Sequence, residues 1–279
     1  MLRTEQLSLA YGDKPVVDNV SLAIPEGGIT CLLGPNGSGK STLLKSFAGL
    51  LPARSGQVYL DDQPVDQWHR GKLALRLAML PQKPIVPDGI RVQDLVALGR
   101  FPHRKWWQRN LTTDDNATLD AMAMTGVSDL AERPVEALSG GQQQRVWIAM
   151  GLAQETDILL LDEPTTFLDW GYQLEVLELL SKLNREHGLT VVMSLHDLNQ
   201  AAQFADRIAV LADGRLETIG SPGEVITEPL INRVFRVHTH VTTGRDGRPF
   251  CSGFAESFRD SPTPNHHGLI HGMAEHQTT

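Results

Sequence analysis

The chain has 279 residues, of which 41% are hydrophobic, and this is enough to bury the core of one large domain or two small ones. Its 25 Lys and Arg residues against 33 Asp and Glu residues give a net charge of −8, which excludes a broad basic surface for nucleic acid. No uncharged apolar stretch approaches the roughly 18 residues of a membrane span, residues 1–6 lack the apolar core of a signal peptide, and two cysteines are too few for a disulfide framework. We therefore expect a globular protein with free thiols that meets a membrane only through a partner.

The first 28 residues predict an antiparallel hairpin. Two alternating apolar runs, 7–11 and 16–22, flank the turn signal Gly-Asp-Lys-Pro at 12–15. Tyr11 ends the first run, where its ring either packs half-buried against the hairpin or stacks on an adenine base. Composition alone favours packing.

A complete phosphate-loop motif follows. The apolar run 29–33 predicts a buried strand before it, and a helix is predicted from Thr42. The glycines let backbone N–H groups turn inward around a phosphate, and the helix N-terminus adds its partial positive charge. Lys40 would reach the terminal phosphates of a nucleoside triphosphate, and the Ser41 hydroxyl would hold Mg²⁺. The motif consists of Gly34, Pro35, Asn36, Gly37, Ser38, Gly39, Lys40, Ser41 and Thr42.

Two short strands and a helical segment come next. Residues 57–60 and 77–80 predict strands, and the second leads to a lone glutamine, Gln82. From about residue 87 the periodicity becomes helical, which predicts a helical insertion over 87–152 in an otherwise α/β chain. The predicted apolar faces consist of Val92, Leu95, Val96 and Leu98, and of Leu119, Met122, Ala123 and Val127.

The segment 99–107 within this insertion is basic and aromatic, and it contains Trp106 and Trp107. One interpretation is a solvated loop whose tryptophans pack on the helices. The other is a docking surface for a second protein.

A second candidate phosphate site begins after Leu138. Ser139 is a good N-cap for the amphipathic helix that follows, and paired glycines free backbone N–H groups at its start. A chain that holds one nucleotide does not need two such sites, but in a head-to-tail pair the second site of one chain can close over the phosphate loop of the other. The residues of this site are Ser139, Gly140, Gly141 and Gln142.

Two further predicted strands end in side chains suited to catalysis. The apolar run 158–161 ends at Asp162 and Glu163, and the run 190–195 ends at His196. Because the carboxyl ends of parallel strands share one edge of a sheet, we expect all three beside the phosphate loop. There Asp162 would face Mg²⁺, and Glu163 would orient or deprotonate an attacking water. A lone histidine is more often structural, but this position favours a functional role for His196.

The last part of the chain changes in composition. Residues 207–216 predict a hairpin, and 221–225 predict the start of a last helix. Apolar content falls from about residue 237, so we expect a short hairpin over 237–254 and then a mobile tail. The extension is rich in histidine, which is open to a metal-sensing interpretation, but the spacing matches no defined set of metal ligands. Its histidines are His238, His240, His266, His267, His271 and His276.

The order of these motifs resembles the nucleotide-binding subunit of ABC transporters. The resemblance covers about residues 1–236 and rests on the phosphate loop, Gln82, the Leu-Ser-Gly-Gly-Gln signature at 138–142, the Leu-Asp-Glu-Pro run at 161–164, and His196. It implies an α/β P-loop NTPase fold of the ABC ATPase type, with an N-terminal antiparallel β subdomain and an α-helical insertion subdomain. It also implies ATP and Mg²⁺ as ligands, and a homodimer that sandwiches ATP.

The resemblance also implies a role for each candidate residue. Glu163 becomes the catalytic base, His196 the sensor of the γ-phosphate, and Tyr11 the ring that stacks on adenine. The implied catalytic residues are Lys40, Gln82, Glu163 and His196; the implied Mg²⁺ ligands are Ser41, Gln82 and Asp162; and the implied ATP contacts outside the phosphate loop are Tyr11, Ser139, Gly140, Gly141, Gln142 and Asp169.

A narrower resemblance is to the ATPases of bacterial ferric-siderophore importers. It is carried by Gly-Arg-Phe-Pro-His at 99–103, Thr-Thr-Phe-Leu-Asp at 165–169 and His-Asp-Leu-Asn-Gln-Ala at 196–201, with further similarity over 147–154. It implies a peripheral ATP-hydrolysing subunit at the cytoplasmic face of the inner membrane, working with an integral membrane permease and, through it, a periplasmic or surface substrate-binding protein. Importers of vitamin B12 or haem, an exporter, and a soluble ABC ATPase outside transport are the alternatives.

Overall fold

A computed structural model of the chain describes residues 1–104 and 115–254. The predicted features at Trp106, Trp107 and the last four histidines lie outside the described residues.

The strands are β1 (Leu2–Tyr11), β2 (Lys14–Ile24), β3 (Ile29–Leu33), β4 (Ser55–Leu60), β5 (Gln63–Pro64), β6 (Leu77–Leu80), β7 (Ile158–Leu161), β8 (Thr190–Ser194), β9 (Arg207–Ala212), β10 (Arg215–Gly220), β11 (His238–Thr243) and β12 (Pro249–Phe254). The α-helices are α1 (Lys40–Phe47), α2 (Arg70–Leu73), α3 (Val92–Ala97), α4 (Asn116–Thr125), α5 (Gly140–Ala153), α6 (Trp170–His187), α7 (Leu198–Phe204), α8 (Pro222–Val225) and α9 (Glu228–Phe235).

The N-terminal sheet has the strand order β2-β1-β4-β5 and is antiparallel. The predicted hairpin is confirmed, because β1 pairs with β2 and Tyr11 lies opposite Lys14. The turn itself is two residues shorter than the sequence signal and consists of Gly12 and Asp13. Gly12 has a φ of 59°, a conformation that a two-residue hairpin turn demands and that glycine adopts without strain.

The central sheet has the strand order β10-β9-β3-β8-β7-β6. All of its neighbouring strands run parallel except β10, which forms the predicted hairpin with β9. Leu32 of β3 is level with Ser194 of β8, and Leu161 of β7 is level with Met193. The segments that follow β3, β7 and β8 therefore leave the sheet at the same edge, where ligands of parallel sheets bind.

Hydrophobic cores cover both faces of this sheet. Leu32 of β3 belongs to the core shared with the N-terminal sheet and Phe47 of α1. Its neighbours Cys31 and Leu33 belong to the core under the helices, together with Ile148 of α5. Burial on both faces explains why β3 is a continuous apolar run and not an alternating one.

The predicted helical insertion is present as α3, α4 and α5. The apolar face predicted around α4 is confirmed at Met122 and Val127, which are buried, and was wrong at its other two residues. Leu119 and Ala123 are exposed, and the buried residues of this helix are Thr118, Ala121, Met122 and Thr125. Thr125 tolerates burial because its hydroxyl donates to the carbonyl oxygen of Ala121 at 2.9 Å. Leu98, which was assigned to the apolar face of α3, is also exposed.

Arg100 is a structural residue of this insertion and not part of a free docking surface. Its side chain is only 15% exposed. Its Nε donates to Asp115 Oδ2 at 2.8 Å, and its Nη1 donates to Ala153 O at 2.8 Å and to Glu155 Oε2 at 2.5 Å. The basic character of 99–107 therefore does not by itself indicate a partner, although the neighbouring Phe101 is exposed.

Arg100→Ala is expected to lower the free energy of unfolding by about 1–3 kcal/mol, because it leaves Asp115 and the Ala153 carbonyl without their donor. Urea unfolding followed by circular dichroism measures this change. Arg91→Ala is the matched control, since Arg91 pairs with Glu132 in solvent and its loss is expected to cost about 0–1 kcal/mol. Equal losses in the two variants would show that the Arg100 cluster is no more than a surface ion pair.

The end of the described chain differs from the prediction in one respect. The last predicted helix is two helices, because α8 ends at Val225 and α9 begins at Glu228. After α9, β11 and β12 form an antiparallel hairpin that pairs Val241 with Cys251. Both Cys31 and Cys251 are free.

Two features are absent from the described residues. Over 1–104 and 115–254, no cluster of three or more His, Cys, Asp or Glu side chains is arranged to hold a metal ion. Nor does any helix in those two ranges combine the length and apolar character that crossing a bilayer requires.

Candidate functional site

The phosphate loop connects β3 to α1 and packs tightly against its surroundings. Helix α1 begins at Lys40, two residues before the predicted start. Gly34 has a φ of 148°, and a Cβ atom built on it would lie 2.0 Å from the carbonyl oxygen of Leu211. A side chain at this position is therefore excluded both by the backbone conformation and by the neighbouring strand β9.

Gly34→Ala is expected to lower the free energy of unfolding by about 1–3 kcal/mol and to abolish nucleotide binding, since the loop must shift to admit a methyl group. Thermal unfolding and titration with a fluorescent ATP analogue measure the two effects. Gly223→Ala is the control, because nothing lies within 4 Å of a Cβ at that position. A Gly34→Ala protein with wild-type melting temperature and ATP affinity would contradict the close packing of the loop.

Lys40 crosses the loop that it terminates. Its side-chain Nζ donates to the carbonyl oxygens of Gly34 at 2.8 Å and Pro35 at 3.1 Å, and the residue is 4% exposed. Burial lowers the pKa of Lys40, while the carboxylates of Glu163 and Asp162 oppose that shift. The ammonium group is thus held by weak neutral acceptors, which a phosphate oxygen could replace with a charge-assisted hydrogen bond.

Ser38 supplies a second observation that fits a phosphate in this loop. Its hydroxyl is buried and has no hydrogen-bond partner. An unpaired buried hydroxyl costs free energy, and such groups in native structures commonly await a ligand or water. The loop therefore has three features that can bind an anion. These are its inward-turned glycines, an unpaired hydroxyl and a buried ammonium group.

The carboxylate of Asp162 lies beside the start of α1. Its Oδ1 accepts hydrogen bonds from Ser41 Oγ at 2.8 Å and from Ser194 Oγ at 2.9 Å, and the residue is 6% exposed. Ser41 and Asp162 were predicted to share a site, whereas Ser194, the last residue of β8, was not predicted to belong to it. A signal was available, since Ser194 is the one polar residue in the second half of a buried apolar strand.

Ser194 links the two acidic residues that follow β7. Its oxygen accepts a hydrogen bond from the backbone N–H of Glu163 at 2.8 Å while its hydroxyl donates to Asp162. Glu163 has a φ of 52°, which is a strained conformation for glutamate. Strain of this kind persists where surrounding contacts enforce it, and here it directs the Glu163 side chain.

The Glu163 carboxylate contacts three polar side chains, two of which were predicted as site residues. His196 Nε2 lies 2.5 Å from its Oε1, and Thr166 Oγ1 donates to its Oε2 at 2.9 Å. Gln82 Nε2 also donates to Oε2. Gln82 was assigned to Mg²⁺, but its amide nitrogen here contacts Glu163. Thr166 was not recognised from the sequence, because nothing in its local pattern distinguishes it from a turn residue.

Tyr11 lies at the end of the hairpin that borders the phosphate loop. The ring is 48% exposed, so one side of it is available to stack on a base. The same hairpin touches the loop, because a Cβ on Gly39 would lie 2.8 Å from Val17 Cγ2. This arrangement fits an adenine placed beside a phosphate chain.

The signature at 139–142 forms the N-cap and the first turn of α5. Ser139 caps the helix in a capping box with Gln142, with hydrogen bonds of 3.4 and 3.1 Å. A Cβ on Gly141 would lie 2.8 Å from the ring of Tyr172. Within residues 1–104 and 115–254, no hydrogen bond or ion pair joins the signature to residues 34–42.

A cluster of exposed aromatic residues surrounds Asp169, beside the signature. Phe167 is 74% exposed and Trp170 is 73% exposed. Asp169 is the N-cap residue of α6, yet its side chain accepts no capping hydrogen bond. Exposed apolar surface next to an uncommitted carboxylate is typical of a surface that another protein covers.

The amino-acid sequence of this chain is similar to a known protein family and to characterised proteins. A family model described as ABC transporter matches residues 17–166. The iron(3+)-hydroxamate import ATP-binding protein FhuC of Bacillus subtilis (strain 168) is 45% identical over 251 residues, covering 90% of this chain and 93% of that protein.

Two solved structures share the fold. An inward-facing metal-chelate type ABC transporter gives a TM-score of 0.80 at 26% identity, over 92% of this chain and 98% of that chain. A bacterial ABC transporter cassette solved as a dimer gives a TM-score of 0.69 at 32% identity, over 79% and 98%.

Proposed function

Because this chain belongs to the ABC transporter family, we propose that it is the ATP-hydrolysing subunit that powers import of an iron(III)–siderophore complex through a partner membrane permease. The observation that carries the proposal is the meeting of Lys40, Asp162 and Glu163 at one edge of the parallel sheet. Lys40 supplies an ammonium group that can bind phosphate, Asp162 a carboxylate that can bind a cation, and Glu163 a carboxylate that can orient water. Phosphoryl transfer to water needs all three groups.

ATP is proposed to lie across the phosphate loop. Its adenine stacks on Tyr11, and its β- and γ-phosphates accept hydrogen bonds from the loop N–H groups, Ser38 and Lys40. Lys40 exchanges the carbonyl oxygens of Gly34 and Pro35 for phosphate oxygens. Because the side chain is buried before ATP arrives, little new desolvation accompanies that exchange.

The residues around Asp162 fit Mg²⁺. A serine hydroxyl and one carboxylate are hard oxygen donors, and Mg²⁺ is commonly held by one or two protein oxygens together with phosphates and waters. Ser41 and Asp162 would hold the ion, which would neutralise charge on the β- and γ-phosphates when bound. Ser194 keeps the Asp162 carboxylate turned toward Ser41.

Glu163 is proposed to orient and deprotonate the attacking water. The water oxygen forms a bond to the γ-phosphorus, the bond to the β–γ bridging oxygen breaks, and ADP and phosphate leave. His196 holds one carboxylate oxygen of Glu163, and Thr166 and Gln82 hold the other. This arrangement limits rotation of the carboxylate, so its geometry is set before the water arrives.

A second copy of the chain completes the site in this proposal. In the described residues, no hydrogen bond joins the signature at 139–142 to the phosphate loop of its own chain. The Ser139 and Gln142 N–H groups are used in the capping box, which leaves those of Gly140 and Gly141 at the helix start for the nucleotide of another copy. The exposed cluster of Phe167, Asp169 and Trp170 is surface that such a pair would bury. The similar cassette that was solved as a dimer supports a pair of this kind.

The cargo is proposed from relatives. The FhuC relative is an import subunit for iron(3+)-hydroxamate, and one structural neighbour is a metal-chelate type transporter. We infer a location at the cytoplasmic face of the inner membrane, an integral permease as the direct partner, and a periplasmic or surface binding protein acting through the permease. Haem or vitamin B12 is the second candidate cargo, since the ATPase does not touch what is carried.

Purification of the tagged chain from native membranes tests the proposal. We expect a permease to co-purify and, after reconstitution in liposomes with the binding protein, ATP-dependent uptake of radioiron-labelled ferric siderophore. Uptake of haem or vitamin B12 alone would change the cargo, and efflux would indicate an exporter. Recovery without any membrane protein, despite ATP hydrolysis, would reject a transport role.

A further inference from the structure

The hairpin β11–β12 is attached to helix α7, which begins directly after the loop that carries His196. Val241 and Cys251 of the hairpin are half-buried and pack on a core that includes Ala201 and Ala202 of α7. The hairpin lies beyond the motifs that identified the nucleotide site. Its contacts nevertheless reach α7, whose N-cap residue directly follows His196.

Asn199 joins the start of α7 to the edge of β12. Its side-chain Nδ2 donates to Cys251 O at 3.0 Å, and its Oδ1 accepts from Cys251 N at 2.7 Å. This pair of hydrogen bonds is the exchange that a neighbouring strand would make in an antiparallel ladder. The Asn199 amide therefore takes the place of one strand residue on the free edge of the hairpin.

Arg248 joins the other end of α7 to the same hairpin. Its Nη1 donates to Ala202 O at 2.8 Å and to Ala205 O at 3.1 Å. The last carbonyl groups of a helix lack partners within the helix and carry partial negative charge, so a guanidinium there is favourable. Hydrogen bonds thus join both ends of α7 to the hairpin, through Asn199 at the start of the helix and through Arg248 at its end.

His196 lies between the end of β8 and the start of α7, so both elements place it. Asp197 caps α7 through hydrogen bonds from Asn199 N at 2.7 Å and Gln200 N at 2.8 Å, so His196 is one residue away from the helix. The His196 side chain is 42% exposed and is not fixed by packing. A cleft of about 360 Å³ separates this loop from the hairpin, and its walls include His196, Asn199 and Cys251.

The Cys251 thiol on the edge of the hairpin carries no charge at neutral pH. Burial raises the pKa of Cys251 to about 11, and the nearby Asp197 carboxylate adds to that shift. At neutral pH the thiol is therefore protonated and uncharged. Asn199 connects α7 to the hairpin through its two hydrogen bonds to the Cys251 backbone.

We propose that Asn199 and Arg248 are positioning residues for His196: by clamping α7 to the β11–β12 hairpin, they keep the imidazole against the Glu163 carboxylate. This inference rests on the proposed ATPase function. It assigns a physical role to the asparagine of the His-Asp-Leu-Asn-Gln-Ala segment, which the hydrolysis mechanism alone does not use.

The test is steady-state ATP hydrolysis by the full chain carrying Asn199→Ala or Arg248→Ala. We expect kcat to fall by about ten- to a hundredfold, because a displacement of about 1 Å at a catalytic group costs up to that factor. KM and the Kd of a fluorescent ATP analogue are expected to change by less than about twofold, since ATP binding does not involve α7. Arg248→Lys keeps the charge and is expected to recover most of the lost kcat.

Ser252→Ala is the matched control, because Ser252 is exposed on the same hairpin next to Cys251 and its hydroxyl donates to His240 O at 3.4 Å. Wild-type kcat in Asn199→Ala and Arg248→Ala would overturn the inference, and so would an equal loss in Ser252→Ala. A change confined to KM would also overturn it. If Asn199→Ala fails to fold, the isosteric Asn199→Asp, which removes the donor, carries the same test.

Two reference variants separate this inference from the proposed function. His196→Ala and Lys40→Ala are both expected to lose hydrolysis. If both retain it, the ATPase site has been misassigned. If both lose it while Asn199→Ala and Arg248→Ala match the wild type, only the positioning role fails.

Discussion

Glu163→Gln is expected to bind ATP with wild-type affinity and to lose turnover by about a hundred- to ten-thousandfold, the usual contribution of a general base. The substitution preserves the shape of the side chain, so Gln82, Thr166 and His196 keep a neighbour of the same size. What is lost is the negative charge that draws a proton from water. Phosphate release measures turnover, and a fluorescent ATP analogue measures binding.

The same variant should accumulate a closed pair of chains when ATP is present, because the nucleotide that joins the two copies is no longer consumed. Analytical ultracentrifugation with and without ATP detects this shift in mass. Glu178→Gln is the control, since Glu178 lies exposed on α6 and is expected to leave both turnover and mass unchanged. Full hydrolysis by Glu163→Gln would remove Glu163 from its proposed role. A variant that binds ATP and stays monomeric would contradict the shared site.

Lys40→Ala is expected to weaken ATP binding itself, by about ten- to a hundredfold, because hydrogen bonds to charged groups contribute about 1.5–3 kcal/mol. The fold should survive, since burial already disfavours the charged form of this side chain and alanine is a strong helix former. Equilibrium titration with a fluorescent ATP analogue measures the change.

Lys45→Ala controls for the loss of a lysine from α1. Lys45 lies on the same helix but outside the phosphate loop, so its removal is expected to change the Kd by less than about twofold. Equal affinity in Lys40→Ala and the wild type would mean that the buried ammonium group does not meet the phosphates. The Glu163 and Lys40 variants therefore test separate parts of the site, hydrolysis and binding.

Much of the site was predictable because its functional groups belong to short continuous segments of the sequence. The phosphate loop needs glycines at fixed positions and a lysine at the helix start, and here the motif lies between a predicted strand and a predicted helix, as its function requires. Asp162, Glu163 and His196 could be added because each ends an apolar run, and the carboxyl ends of parallel strands share one edge. The structure brings these residues together as expected.

Contacts between distant segments were not predictable. Ser194 bridges Asp162 and Glu163 across a strand pairing that no local pattern specifies. Arg100 seemed from its neighbours to be a surface charge, but it is partly buried and bonded to residues 15, 53 and 55 positions away. In α4 the helical period was right, but Leu119 and Ala123 are exposed while Thr125 is buried, since its hydroxyl donates to the helix backbone.

The sequence by itself determined the kind of chemistry, because the identity and spacing of neighbouring residues decide which groups a loop can offer to a phosphate. Tertiary structure alone decided how those groups are held. Strand order places Ser194 beside Asp162, and the β11–β12 hairpin reaches Asn199 and the carbonyl groups at the end of α7. The reason is physical: a motif depends on bonds between neighbours, whereas orientation depends on contacts whose partners are chosen only when the whole chain packs.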